Sequence, residues 1–261
     1  MSKPGPLRLW LVGCGNMGGA MLRQWIASGV VAPENVFVVN RRNRELPEGV
    51  RQGRTFPAEP APDFIQLGMK PQQLDEIPAP PPGDYGLISI LAGVDVATLA
   101  ARFPGHAIVR AMPNLPVALG KGVVALHGTR APGVDALMAP LGLVEWIAEE
   151  SLFDAVTALS GCGPGFVYRF IDALAEAGAA LGLPADQAQR LAIATVEGSG
   201  LLAAQADASP SVLADRVASP GGSTRQGLNV LDRDDALKAL LRETLAASAR
   251  RNAEMAAEAR R

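Results

Sequence analysis

The chain has 261 residues with 24 Lys+Arg against 26 Asp+Glu, a formal net charge of -2 at pH 7, and this balance excludes the basic stripe of a nucleic-acid binder. Its 48% hydrophobic and 19% charged composition excludes a disordered chain, and no apolar run approaches the ~20 residues of a membrane span. With only two cysteines, Cys14 and Cys162, and two histidines, His106 and His127, a disulfide framework, a Cys-based zinc site and a His-based hydrolase triad are disfavoured, and no metal is expected.

Residues 7–12 read as a short apolar strand. They do not read as a signal peptide, because the apolar segment is too short and Pro4 and Pro6 sit where it should begin; a cytoplasmic protein is expected. Gly13-Cys14-Gly15-Asn16-Met17-Gly18 follows, and Ala20, Met21, Leu22, Trp25 and Ile26 continue it as a helix ending at Gly29. Val36-Phe37-Val38-Val39 is a second strand whose continuous apolar run suits a parallel sheet covered on both faces. Residues 64–69 and 86–91 are further strands, and 107–110 and 123–126 are shorter ones. Strands alternating with helical stretches imply βαβ units in an open α/β sheet. The connection over 43–62 carries Pro47, Pro57, Pro60 and Pro62, so no regular crossover helix runs through it. Pro78-Ala79-Pro80-Pro81-Pro82 is a second stiff loop.

Beyond about Ser160 the pattern becomes helical. Val167, Ile171, Leu174 and Leu181 share a helical spacing before Gly182, a second helix runs from Pro184 to about Ala206, and a third covers roughly 234–257. Their apolar stripes exceed what a few helices bury among themselves. The stripes serve either packing on the first domain or association of two subunits.

Gly13-x-Gly15-x-x-Gly18, placed between a strand and a helix, is the dinucleotide fingerprint in the context it requires. The first glycine makes the turn, the second lets the pyrophosphate approach the helix N-terminus, and the third permits close packing. The second strand ends in Asn40-Arg41-Arg42-Asn43-Arg44, without the acid that would bond a ribose 2′-hydroxyl. Guanidinium groups suit a 2′-phosphate, so NADP(H) is expected, with NAD(H) as the alternative. Lys70-Pro71 and Ala92-Gly93 lie at strand carboxyl ends, where ligands of open α/β sheets bind. Asn114 sits in a further strand-end turn, either as a ligand group or as a turn former. Ser219-Pro220-Gly221-Gly222-Ser223-Thr224 opens a helix as an anion-binding nest or a plain cap.

Taken in order, these motifs resemble the pyrroline-5-carboxylate reductase family over about residues 7–255. Ser160-Gly161-x-Gly163-Pro164 and Arg110-x-Met112-Pro113-Asn114 join the segments above in that resemblance. It implies a Rossmann-type NADP-binding domain over 1–158, followed over 159–261 by an all-helical dimerisation and substrate domain. It implies NAD(P)H-dependent reduction of 1-pyrroline-5-carboxylate, a small cyclic imino acid, to L-proline by a homodimer or a larger ring. Gly13, Gly15, Asn16, Met17, Gly18, Asn40, Arg41, Arg42, Lys70, Pro71, Ala92 and Gly93 fall on cofactor positions. Ser219, Gly222, Ser223 and Thr224 fall on substrate positions, with Asn114 beside them, and Thr224 is the expected catalytic group near the ring nitrogen. Cys162, Gly165 and Phe166 depart from the family's usual Ser, Ala and Tyr, which bears on substrate range. A reductase of another cyclic imine, or a protein that only binds NADP(H), is the alternative.

Overall fold

The computed structural model describes residues 7–59 and 61–259; Pro4, Pro6 and Pro60 lie outside the described residues. The described chain gathers into two compact units. One comprises the residues up to Cys162 together with those from Ser248 on, and the other is Gly163–Ala247.

The first unit is built on one eight-stranded sheet. In chain order its elements are β1 (Leu9–Val12), α1 (Asn16–Ala27), β2 (Val36–Val39), β3 (Arg51–Gly53), β4 (Phe64–Leu67), β5 (Gly86–Ser89), α2 (Val96–Arg102), β6 (Ala107–Pro113), β7 (Gly122–Gly128), α3 (Val134–Met138), β8 (Gly142–Trp146) and α4 (Phe153–Val156). The spatial order is β3-β2-β1-β4-β5-β6-β7-β8. The pairs from β3 through β6 are parallel, β6 meets β7 antiparallel, and β7 and β8 run parallel to each other. The first six strands therefore follow the doubly wound order that places ligands at strand carboxyl ends.

Alternation along β1 divides the core. Leu9 and Leu11 join Trp25, Val36, Val38 and Val109 on one face, while Trp10 and Val12 join Phe37, Ile65, Leu87 and Leu99 on the other. On the first face α1 is locked down by the Trp25 indole N–H, which donates to the Leu137 carbonyl at 2.7 Å. On the second face no α-helix forms between β2 and β4 among the described residues, in line with the proline spacing. Phe56 from the irregular connection stacks on Trp10 at 5.6 Å between ring centroids and replaces the missing helix there. The neighbouring loop is stapled by the Gln52 amide, which accepts from the Arg44 N–H at 3.0 Å and donates to the Arg44 carbonyl at 2.8 Å.

The second unit contains α5 (Gly163–Ala180), α6 (Ala185–Gln205), α7 (Pro210–Arg216), α8 (Ser223–Asp232) and the start of α9 (Ala236–Ala259). Gly182 at φ +102° ends the α5 segment in the left-handed region. Asp234 and Asp235 are also left-handed, at φ 52° and 59°, so α9 starts two residues later than the apolar pattern suggests. The Asp235 carboxylate accepts from Arg242 at 2.6 Å and lies 3.6 Å from Lys238, which holds that break in place.

Candidate active site

The carboxyl ends of β1, β2 and β4 open on a cleft of ≈ 880 Å³. Gly13 enters it at φ +82°, and a Cβ there would stand 2.9 Å from the Met69 backbone nitrogen, so a side chain would meet rigid backbone. The Gly13 N–H donates to the Val39 carbonyl at 2.9 Å, which ties the turn to β2. Gly15 caps α1 with no side-chain partner, the first turn holds no acid, and a Cβ built on Gly15 would meet nothing within 4 Å. A helix N-terminus left open in this way is suited to an anion. Gly18 is buried 3.5 Å (as a built Cβ) from the Gly13 carbonyl, an ordinary contact that keeps the helix close to the turn. Asn16 is exposed and Met17 half-buried on the same wall. Burial pushes the Cys14 thiol up from its usual range, with Arg44 and Arg23 opposing, so Cys14 serves as a neutral packing group.

Asn40 is buried at the end of β2. Its Oδ1 accepts from the Cys14 N–H at 3.2 Å, while its Nδ2 has no partner among the described residues. A buried donor without an acceptor is costly, and this one lines the cleft, where a ribose or phosphate oxygen would satisfy it. Arg41, Arg42 and Lys70 line the same cleft, joined by Arg44 and Arg54. Pro71 opens a 3₁₀ turn over Pro71–Glu76, whose start is held by the Lys70 N–H donating to Gln73 Oε1 at 3.2 Å. The open helix start, the orphaned Asn40 donor and the five cations fit a phosphorylated dinucleotide.

Two expected groups lie elsewhere in the first unit. Ala92 and Gly93 form the turn from β5 toward α2 and are not among the residues that line this cleft. Gly93 has φ +76°, and a Cβ on it would stand 3.0 Å from the Ala256 Cα, so the chain's last helix closes directly on that turn. The Asn114 amide is engaged by backbone: Oδ1 accepts from the Val123 N–H at 2.8 Å and Nδ2 donates to the Ser160 carbonyl at 3.0 Å.

In the second unit the Gly222 N–H donates to the Ser219 carbonyl at 3.0 Å and closes a turn in which Gly221 takes φ +74°. The ten-residue α8 then starts at Ser223 with no side-chain cap and no acid in its first turn. Ser219, Ser223 and Thr224 are exposed there, and Gly222 is half-buried. Arg225 donates to Asp215 at 2.6 Å and fixes α8 against α7.

Arg54, Gln73 and Glu76 are cleft residues that the motif reading missed. Arg44 was visible as the end of the arginine run. Arg54 and Glu76 reach the cleft only through pairing of β3 with β2 and through the 3₁₀ turn after β4. Neither placement has a local signature.

A family model described as "Pyrroline-5-carboxylate reductase dimerisation" matches residues 150–255, and one described as "NADP oxidoreductase coenzyme F420-dependent" matches residues 8–93. The chain is similar to the pyrroline-5-carboxylate reductase of Synechocystis sp., 35% identical over 95% of this chain and 98% of that protein. Among solved structures it resembles a pyrroline-5-carboxylate reductase from Coxiella burnetii (TM-score 0.84, 28% identity, 96% of this chain and 98% of that one). It also resembles the Plasmodium falciparum pyrroline carboxylate reductase with NADP bound (TM-score 0.79, 25% identity, 96% and 98%).

Proposed function

The chain belongs to the pyrroline-5-carboxylate reductase family, and we propose on that premise that it reduces 1-pyrroline-5-carboxylate to L-proline as an NADP(H)-dependent oxidoreductase. The observation that carries this reading is a match along almost the whole chain that retains both the open glycine turn and the Gly221–Thr224 nest.

When bound, NADPH supplies the hydride for the imine carbon. The backbone N–H groups of Gly13–Gly18 and the start of α1 would hold its pyrophosphate, and Asn40, Arg41, Arg42 and Lys70 would hold its adenosine end. Pro71 opens the 3₁₀ turn that brings Gln73 and Glu76 to the cleft, whereas Ala92 and Gly93 shape the turn from β5 toward α2 without lining it. Ser219 and Gly222, whose N–H closes the turn on the Ser219 carbonyl, shape the nest; the backbone N–H groups of Ser223 and Thr224 anchor the substrate carboxylate, and the Thr224 hydroxyl faces the ring nitrogen. A cyclic imine protonated on nitrogen is already electrophilic, so the residues need only position, desolvate and orient it. Nucleotide binding is thereby assigned to residues 1–158 and substrate binding with dimerisation to 159–261, although the residues up to Cys162 and from Ser248 on gather with the first unit. Asn114 supports the site by joining β7 to the Ser160 carbonyl.

The direct test follows NADPH oxidation with a panel of cyclic imino acids and 2-keto acids. Pyrroline-5-carboxylate is expected to give the highest kcat/KM. Absence of turnover with every imine would overturn the assignment. Arg41→Ala/Arg42→Ala is expected to lower kcat/KM for NADPH by at least about tenfold and to leave NADH nearly unchanged, since a hydrogen bond to a charged group is worth ~1.5–3 kcal/mol. An unchanged cofactor preference removes both arginines from that role.

The protein acts as a homodimer, or as a ring built from it, located in the cytoplasm. No helix among the described residues is long and apolar enough to cross a membrane. Yet no residue of the 18-residue α5 is buried, and Phe170, Leu174, Leu191 and Leu202 stand exposed, a loss that association recovers. Leu202, 72% exposed in the single chain, is the test position. Leu202→Asp is expected to shift sedimentation or light scattering toward the monomer, because a carboxylate buried in an interface without a partner is costly. A wild type that is monomeric and active at micromolar concentration contradicts the dimer.

A further inference from the structure

Resting on the cofactor assignment above, we propose that Glu76 sets how strongly this enzyme discriminates NADPH from NADH. In this proposal its carboxylate competes with the 2′-phosphate for Arg41 and accepts the 2′-hydroxyl when no phosphate is present.

Glu76 is the one acid among the described residues lining the cleft, against Arg41, Arg42, Arg44, Arg54 and Lys70. Its Oε2 meets Nη2 of Arg41 in an ion pair. Arg42, Arg44, Arg54 and Lys70 make no ion pair with any described residue, so the cluster's internal counter-charge falls on Arg41 alone. The placement is built into the fold. Glu76 ends the 3₁₀ turn that starts at Pro71, and the buried Ile77 beside it and the partly buried Leu74 anchor that turn in the second-face core. Arg41 leaves β2 one residue after the buried Asn40, and the Gln52 clamp on Arg44 holds the loop beyond it.

Dinucleotide folds that take NAD place an acid at the end of β2 to receive the ribose 2′-hydroxyl. This chain has Asn40 and Arg41 there, yet the loop after β4 returns a carboxylate to the same arginine. The two cofactors meet this pair differently. A 2′-phosphate, carrying close to two negative charges, must displace Glu76 from Arg41 and then remain beside a like charge. A 2′-hydroxyl is neutral and donates to the carboxylate without disturbing the ion pair. Glu76 therefore weakens the phosphorylated cofactor and supports the other, and the arginine run discriminates less than its charge suggests.

The experiment measures Kd for NADPH, NADH, 2′,5′-ADP and 5′-AMP on wild type and Glu76→Gln, with melting temperature as the folding control. Both members of the pair are more than half exposed, so the expected change is modest. Binding of 2′,5′-ADP and NADPH should tighten about fivefold in Glu76→Gln, on the scale of a surface ion pair. NADH and 5′-AMP should stay level or weaken, with no change in melting temperature. The effect should shrink in an Arg41→Gln background, because the two residues act as a unit. An NADPH:NADH affinity ratio that is unchanged or lower in Glu76→Gln overturns the proposal. A wild type that binds neither NADPH nor 2′,5′-ADP overturns the cofactor site itself, which is a separate and distinguishable failure.

Discussion

Replacing Glu150 by alanine is expected to destabilise the protein by about 3 kcal/mol, at the lower end of the range for breaking a buried ion pair. Oε1 of Glu150 accepts from Arg110 Nη1 at 2.9 Å and from the Val96 N–H, the first of α2, also at 2.9 Å. The Arg110 side chain is 8% exposed, that of Glu150 25%. The guanidinium also lies over the Phe153 ring, 4.4 Å from its centroid. His127, the cross-strand neighbour of Arg110 on β7, brings Nε2 to 4.0 Å from Oε2. Truncation would leave a buried cation without its counter-charge and a helix N–H without its acceptor, while Asp95 would still cap Thr98 at 2.8 Å. The lower end applies because Glu150 keeps partial contact with water. At roughly 2–4 °C per kcal/mol for a chain of this size, the melting temperature should fall by about 6–12 °C. Glu150→Gln keeps the acceptor oxygen and the volume and should lose less than half of that. A melting temperature within two degrees of wild type for Glu150→Ala, with the site otherwise intact, would show that the cluster contributes little.

That cluster also marks where the sequence stopped being legible. Arg110 opens a motif, but nothing in it points to His127 or Glu150; Arg110 and His127 meet because β7 turns back antiparallel beside β6, and nothing in the local pattern announces that reversal. The strands that were legible, β1, β2, β4 and β5, are buried on both faces; β1 and β2 are continuous apolar runs, and β4 and β5 are apolar apart from the buried Gln66 and Ser89. β3 was not legible because Arg51–Gly53 is a three-residue edge strand with no apolar residue, held by its pairing to β2. β8 was missed for a related reason: it is an edge strand, half-buried on alternate residues. The long helices were legible from their stripes, whereas α2, α3, α4 and α7 are too short to show a period. At the site, the glycine turn and the Asn40–Arg42 end could be read because chain-adjacent residues do the work. Glu76 could not, because its meaning depends on Arg41, thirty-five positions earlier.

Thr224→Ala is expected to lower kcat/KM for the imine by about 5–150-fold, the ~1–3 kcal/mol of one hydrogen bond made to a reacting or charged group. The local structure separates this from a stability effect. Helix α8 begins without a side-chain cap, and Thr224 is exposed, with its hydroxyl bonded to no described residue. Removal of that hydroxyl therefore breaks no bond in the chain, and the melting temperature should stay within a degree or two. The Ser219–Gly222 turn, closed by its 3.0 Å backbone hydrogen bond and by Gly221 at φ +74°, should keep the free N–H groups in place, so carboxylate anchoring survives. The loss should then appear in KM as well as in kcat, since the protonated ring nitrogen donates to this hydroxyl both in the bound imine and in the transition state. NADPH affinity should hold within about twofold, because the proposed nucleotide contacts all come from the first unit. Thr224→Ser retains the hydroxyl and should recover most of the activity. If Thr224→Ala reduces pyrroline-5-carboxylate at nearly the wild-type rate, the hydroxyl does not face the ring nitrogen, and the backbone nest alone is left to hold the substrate.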